Sequence, residues 1–115
     1  MFDFEKLKVY HKAKAFNQSV QAFLKDNPLD RITTHQLHRA SFSIMLNIAE
    51  GSGRFTPGDK KNFYIIARGS VFECAAIFDF LKGQSVLSEQ QSNLFRDALE
   101  ELLKMLFSMI QRLTK

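Results

Sequence analysis

Ser43, Asn47 and Glu50 stand four and three residues apart in "SIMLNIAEGSGRF", among isoleucine, methionine, leucine and alanine. Gln36 and Arg39 extend the line backwards, and Arg54 follows Glu50 by four. On a helix these steps place every member on one face. Further along, Ser70 and Glu73 form a second polar pair beside Gly69, again among apolar residues. Charges in such surroundings need partners, and Glu73 is the natural acidic partner for Arg39. An asparagine amide offers an acceptor and two donors, which suits Asn47 to tying helices together. The pattern reads in two ways. Gln36, Arg39, Ser43, Asn47, Glu50, Ser70 and Glu73 form a structural network that fixes helix register, or Asn47, Glu50 and Arg54 line a cleft for a ligand.

Other reactive residues are sparse. His35 and His38 are three apart, but no carboxylate or cysteine joins them at motif spacing and His11 is remote, so no metal site is expected. Cys74 is the sole cysteine and sits on an apolar stripe. It reads as a core residue in a chain suited to a reducing compartment. "GSGR" follows no strand, so it reads as a helix stop and not as a phosphate loop. No serine, histidine and acid fall into a nucleophilic arrangement. A hydrolase-like use of Glu50 with Arg54 has no identifiable substrate. The expectation is a protein that is not an enzyme and needs no cofactor.

Four helices position these residues. Val9, Ala13, Phe16, Val20 and Phe23 step by three and four between about Glu5 and Asp26, and "DNPLD" ends that helix. Thr33 with Gln36 has capping-box spacing and opens a second helix. That helix carries one apolar stripe of Leu37, Ala40, Ile44 and Ile48, and another of Phe42, Leu46 and Ala49. Gly51 or Gly53 is expected to supply its left-handed stop. Thr56 caps a third helix, with Pro57 first and Asp59 in the first turn. Its inner face is read as Phe63, Ile66, Ala67, Ser70, Cys74, Ile77 and Leu81, ending near Lys82 at Gly83. Ser88 and Gln91 open a fourth helix to about Leu113, striped by Phe95, Leu99, Leu102, Leu106, Met109 and Leu113. Glu100 and Lys104 have the spacing of a supporting ion pair.

Short links favour antiparallel neighbours, so the fold class is all-α: one domain, 1–115, as an antiparallel up-down four-helix bundle. The two middle helices are apolar on more than one side, which a lone bundle does not require. Part of that surface is therefore expected to meet other copies of the chain. Gly69 is expected to allow close approach of a neighbouring backbone.

At 115 residues, 45% apolar and 24% charged, the chain has ordinary globular composition. It lacks a secretory signal and any apolar run long enough for a membrane span, so a cytoplasmic protein is expected. The formal charge of +4 is uneven, with eleven Lys/Arg against six Asp/Glu in residues 1–68 and five against six beyond. A basic half points to a polyanion. Lys6, Lys8, Lys12, Lys14, Arg54, Lys60 and Lys61 are the candidates for phosphate-facing charge.

Three segments also carry a family resemblance: "LKVYHKA" at Leu7–Ala13, "QLHRASFSIMLNIAEGSGR" at Gln36–Arg54, and "FYIIARGSVFE" at Phe63–Glu73. The chain resembles the four-helix-bundle proteins encoded in intervening sequences of bacterial 23S ribosomal RNA genes. Their relatives include the accessory variability determinant of diversity-generating retroelements. Met45-Leu46 departs from the small or proline-containing pair usual before the asparagine. The resemblance implies a bundle that assembles into a homopentamer. For the retroelement relatives it implies a basic barrel that binds nucleic acid and a reverse transcriptase. Five copies at +4 each would present about +20, enough to attract RNA by its backbone. The expected function is a non-enzymatic, oligomeric accessory protein that binds RNA or other nucleic acid. The alternative is an oligomeric scaffold for a protein partner such as a reverse transcriptase, with nucleic acid incidental.

Overall fold

The computed structural model describes residues 1–114, which form a short 3-10 turn (Asp3–Lys6) and four helices: α1 (Lys8–Asp26), α2 (Arg31–Ser52), α3 (Pro57–Gly83) and α4 (Glu89–Leu113). There is no strand among the described residues. The helices pack as a bundle 44 Å long and about 25 Å across.

The stripe expected on α1 is buried throughout, as are Leu37, Ala40, Ile44 and Ile48 of α2 and Leu99, Leu102 and Leu106 of α4. Four phenylalanines lock three helices at one level. Phe78 of α3 stacks on Phe95 of α4 at 4.3 Å, and Phe16 and Phe23 of α1 meet both rings edge-on at 5.6–6.4 Å. Edge-to-face and offset contacts suit the negative faces and positive edges of aromatic rings.

Helix α1 begins later than its periodicity suggests. Leu7 is extended, and the residues before it turn separately. The Glu5 carboxylate accepts from the Phe2 N–H at 2.9 Å, and His11 Nε2 donates to the Glu5 carbonyl at 2.7 Å. Helix α2 begins earlier than expected. Asp30, not Thr33, is its cap, accepting from the Thr33 N–H at 2.8 Å and hydroxyl at 2.7 Å. The Thr33 amide bond, then its hydroxyl bond, holds the Asp30 carboxyl below its ordinary value. The stability it lends is therefore present above that ordinary value and lost as pH falls through the lowered one. The caps at Thr56 and Ser88 are as expected, the latter a full reciprocal box with Gln91.

The glycines are used differently from the expectation. No glycine has positive φ, and Gly53 ends α2 at φ −88°. Gly51 lies inside α2, where a Cβ would sit 2.7 Å from Tyr64 Cε1 and 3.0 Å from Phe63 Cβ. Its role is close helix contact, not a left-handed stop. Among the described residues the one in the left-handed region is Ser85, at φ 59° in the turn after α3. Its following amide closes the helix end, with the Val86 N–H donating to the Leu81 carbonyl.

On α3 the buried face is Tyr64, Ala67, Ser70, Val71, Cys74, Phe78 and Leu81. Ile66, expected inside, is 50% exposed, and Phe63 and Ile77 are half-buried. The face lies about one residue round from the expected one: the Tyr64 ring is buried over Gly51, while Phe63 meets Gly51 with its Cβ and stays half-buried. The Glu100–Lys104 pair does not form; Glu100 meets Arg96 at 3.7 Å instead.

Cys74 is completely buried, and burial, with a smaller push from the Glu73 charge, raises its thiol from 9.0 to about 12. The native protein is expected to resist a thiol reagent at mildly alkaline pH and to react at once in denaturant; rapid native labelling would contradict this. The unfolded chain loses the thiol proton near 9 while the folded chain keeps it. This contribution to stability is therefore present below that value and is lost as pH rises toward 12.

Candidate functional site

The polar line of α2 meets α3 along one seam. Arg39 Nη2 donates to Glu73 Oε2 at 2.6 Å and to Gln36 Oε1 at 3.1 Å. One turn on, the Ser70 hydroxyl donates to Ser43 Oγ at 2.9 Å. Asn47 Nδ2 donates to the Ser43 carbonyl at 2.9 Å and to its hydroxyl at 3.0 Å. At the far end Arg54 Nη2 donates to Glu50 Oε1 at 2.6 Å, and its guanidinium lies 4.5 Å over the Phe63 ring. All seven expected network residues thus make hydrogen bonds, in three clusters and not one chain.

Their surroundings differ from the expectation. Ser70 is buried, but Arg39 and Glu73 retain 52% and 36% side-chain exposure. Water therefore screens the pair, and a double-mutant cycle with Arg39→Ala and Glu73→Ala is expected to return a coupling of only about 0.2–1 kcal/mol. A coupling well above this range would mean that the pair is shielded in the working form of the protein.

A second polar contact escaped the sequence reading. Asn17 of α1 is buried, and its Oδ1 accepts from the buried Ser41 hydroxyl at 2.9 Å. Asn17 interrupts the α1 stripe one residue after Phe16, which is the only signal the sequence offered.

The candidate phosphate-facing residues do not all stand free. Lys6 lies 3.9 Å from Asp3, and Lys12 is paired with Glu101 at 3.1 Å. Arg54 is held by Glu50. Lys60 Nζ donates to the Ser52 carbonyl at 2.8 Å, so it caps α2, where a cation suits the negative end of the helix dipole. Lys8, Lys14 and Lys61 make no ion pair among the described residues. The concavity beside Arg54 is also lined by Asp3, Glu50 and Asp59, whose charges oppose an anion there. Among the described residues no group of three or more His, Cys, Asp or Glu is placed to hold a metal.

Helices α2 and α3 leave apolar surface uncovered. Ile65, Phe72 and Phe80 are exposed at steps that fall on one face of α3, with Leu46 exposed on α2. Gly69 lies within that face, and a Cβ added there would meet nothing within 4 Å. No neighbouring backbone of the same subunit approaches it, contrary to an intrachain role. No described helix is long and apolar enough to cross a membrane.

Four helices joined by short links, with a polar seam between the middle pair, define a small all-α bundle protein. The chain belongs to the 23S rRNA-intervening sequence protein family, which it matches over residues 5–108. A crystal structure from Bacteroides thetaiotaomicron, of a protein of unknown function in the S23 ribosomal protein family, has the same fold. Its TM-score is 0.83 at 23% identity, covering 89% of this chain and 97% of that one. No curated protein matches the chain.

Proposed function

We propose that the chain is a non-enzymatic accessory protein that self-associates and binds RNA or other nucleic acid through basic surface. In this reading the subunit is an antiparallel up-down bundle, five copies form the working assembly, and the protein acts in the cytoplasm. The observation that carries it is the uncovered apolar face of α3 around Gly69. Exposed phenylalanine at 50% for Phe72 and 55% for Phe80 is costly for an isolated subunit and useful for a subunit that packs on another. Assembly multiplies the modest charge of +4 into a field that can hold a polyanion. Lys8, Lys14 and Lys61 are the side chains best placed to contribute, because no carboxylate neutralises them.

The test has two arms. Sedimentation should give a multiple of the 13.3 kDa subunit, and Phe72→Asp should reduce it to the subunit mass with helix content retained. Nucleic acid should travel with the protein at low salt and leave at moderate salt, as backbone contacts require. Lys8→Gln with Lys14→Gln and Lys61→Gln should weaken that retention. A wild-type monomer, or retention indifferent to salt, would refute the reading.

A second reading is favoured by one feature. Val71, Phe72, Ala75, Leu99 and Leu103 form the apolar part of a trough of about 460 Å³ between α3 and α4, whose rim carries Asp79, Lys82, Arg96 and Glu100. A scaffold that seats a protein partner there would keep its partner when the three lysines are neutralised.

A further inference from the structure

At the opposite end of the bundle from Arg54, the end of α1 and the start of α2 enclose an open concavity of about 720 Å³. Its floor is Leu24 and Leu29, both partly buried against the core. Its polar lining consists of hydrogen-bond donors. Gln21 and Lys25 come from α1. Arg31, Thr34, His35 and His38 come from α2, where steps of three, one and three bring them onto one face. No carboxylate lines it. Lys25, Arg31, His35 and His38 make no ion pair and no side-chain hydrogen bond among the described residues. The nearest acids in sequence, Asp26 and Asp30, do not line it. Asp30 is held by Thr33, and Asp26 lines the groove between α1 and α4.

Two fixed cations, two imidazoles, a hydroxyl and an amide that line one open concavity, with no acid in its lining, are the complement of a compact, multiply charged oxyanion. We propose that this concavity is a phosphate seat. Arg31 supplies forked donors and Lys25 a point charge from the facing helix. His35 and His38 line the same side as Arg31 on α2 and add ring N–H donors. The charged and titratable groups that line it are those four, and Asp26 and Asp30 flank Lys25 and Arg31 in the chain. The seat is separate from the lysines named above. Its occupant is a phosphate group, either of a small polyphosphate or of a nucleic-acid backbone.

The test uses the full chain and inorganic pyrophosphate, with ionic strength held constant by chloride. Imidazole carbon-bound proton signals of His35 and His38 are followed by NMR, with His11, at the other end of the bundle, as internal control. Saturable shifts of His35 and His38 alone are expected. The double variant Lys25→Gln, Arg31→Gln, checked for unchanged helix content, should weaken binding by roughly tenfold or more. A short thymidine oligonucleotide that displaces pyrophosphate would assign the seat to a backbone, and one that does not would assign it to a small polyphosphate. Shifts matched by chloride alone, or a double variant that binds as the wild type does, would overturn the proposal. Because pyrophosphate needs no RNA, loss of the RNA reading leaves this result standing.

Discussion

Phe78→Ala is expected to cost about 3–5 kcal/mol of stability, a large share of the roughly 5–15 kcal/mol that holds a domain of this size. The ring stacks on Phe95 and takes the edges of Phe16 and Phe23, so its removal opens a cavity bordered by three helices. Rigid aromatic neighbours cannot collapse far to fill that space, and each loses contact on one side. Urea unfolding followed by circular dichroism, at fixed protein concentration, reads the effect as a fall in midpoint at unchanged slope. Phe78→Leu keeps most of the apolar volume and should fall well short of that loss. An alanine variant that loses less than about 1 kcal/mol would mean that the four rings are not the centre of the core.

The second large effect is at Gly51. In an exposed helix interior, exchanging glycine for alanine stabilises by about 1 kcal/mol. Here the new methyl would stand 2.7 Å from the Tyr64 ring and 3.0 Å from Phe63 Cβ. The ring is buried, and the Cβ is fixed to the α3 backbone, so the helices must part. Gly51→Ala is expected to lose about 1–3 kcal/mol net, as overpacking does. Gly69→Ala, with open space around it, should instead gain about 0.5–1 kcal/mol in subunit folding. The same measurement on both variants checks the contrast, and a stabilised Gly51→Ala would show that α2 and α3 do not approach as closely as described.

Much of this architecture was legible before any coordinates. The stripes of α1 and α4 carry strong periodicity because each has one wet side, and every stripe residue of α1 is buried. The third helix was harder for a physical reason. It is apolar nearly all round, so periodicity cannot say which side faces inward, and Ile66 was placed inside although it is half exposed. The start of α2 was misread because Asp30 and Thr33 are both good caps three residues apart, and only the geometry shows that Asp30 takes the Thr33 amide. Arg39 and Glu73 were paired correctly because few other charges lie in their neighbourhood, yet their exposure was invisible. The concavity of Lys25, Arg31, His35 and His38 was missed because the start of α2 was placed at Thr33, which left Arg31 outside the helix that carries the two histidines. The partners of two candidate lysines were hidden for a similar reason: Glu101 and the Ser52 carbonyl reach Lys12 and Lys60 from elsewhere in the chain.

The Asn17–Ser41 contact limits how the bundle can err. Greased cylinders slide lengthwise at little cost, since one methyl replaces another. A shift of α1 along α2 by a single turn, about 5.4 Å, would carry the Asn17 amide oxygen into hydrocarbon and leave the Ser41 hydroxyl only its bond to the His38 carbonyl within α2. The pair works as a detent: it adds little holding force at rest, but it makes every neighbouring position uncomfortable, so the chain has one place to stop.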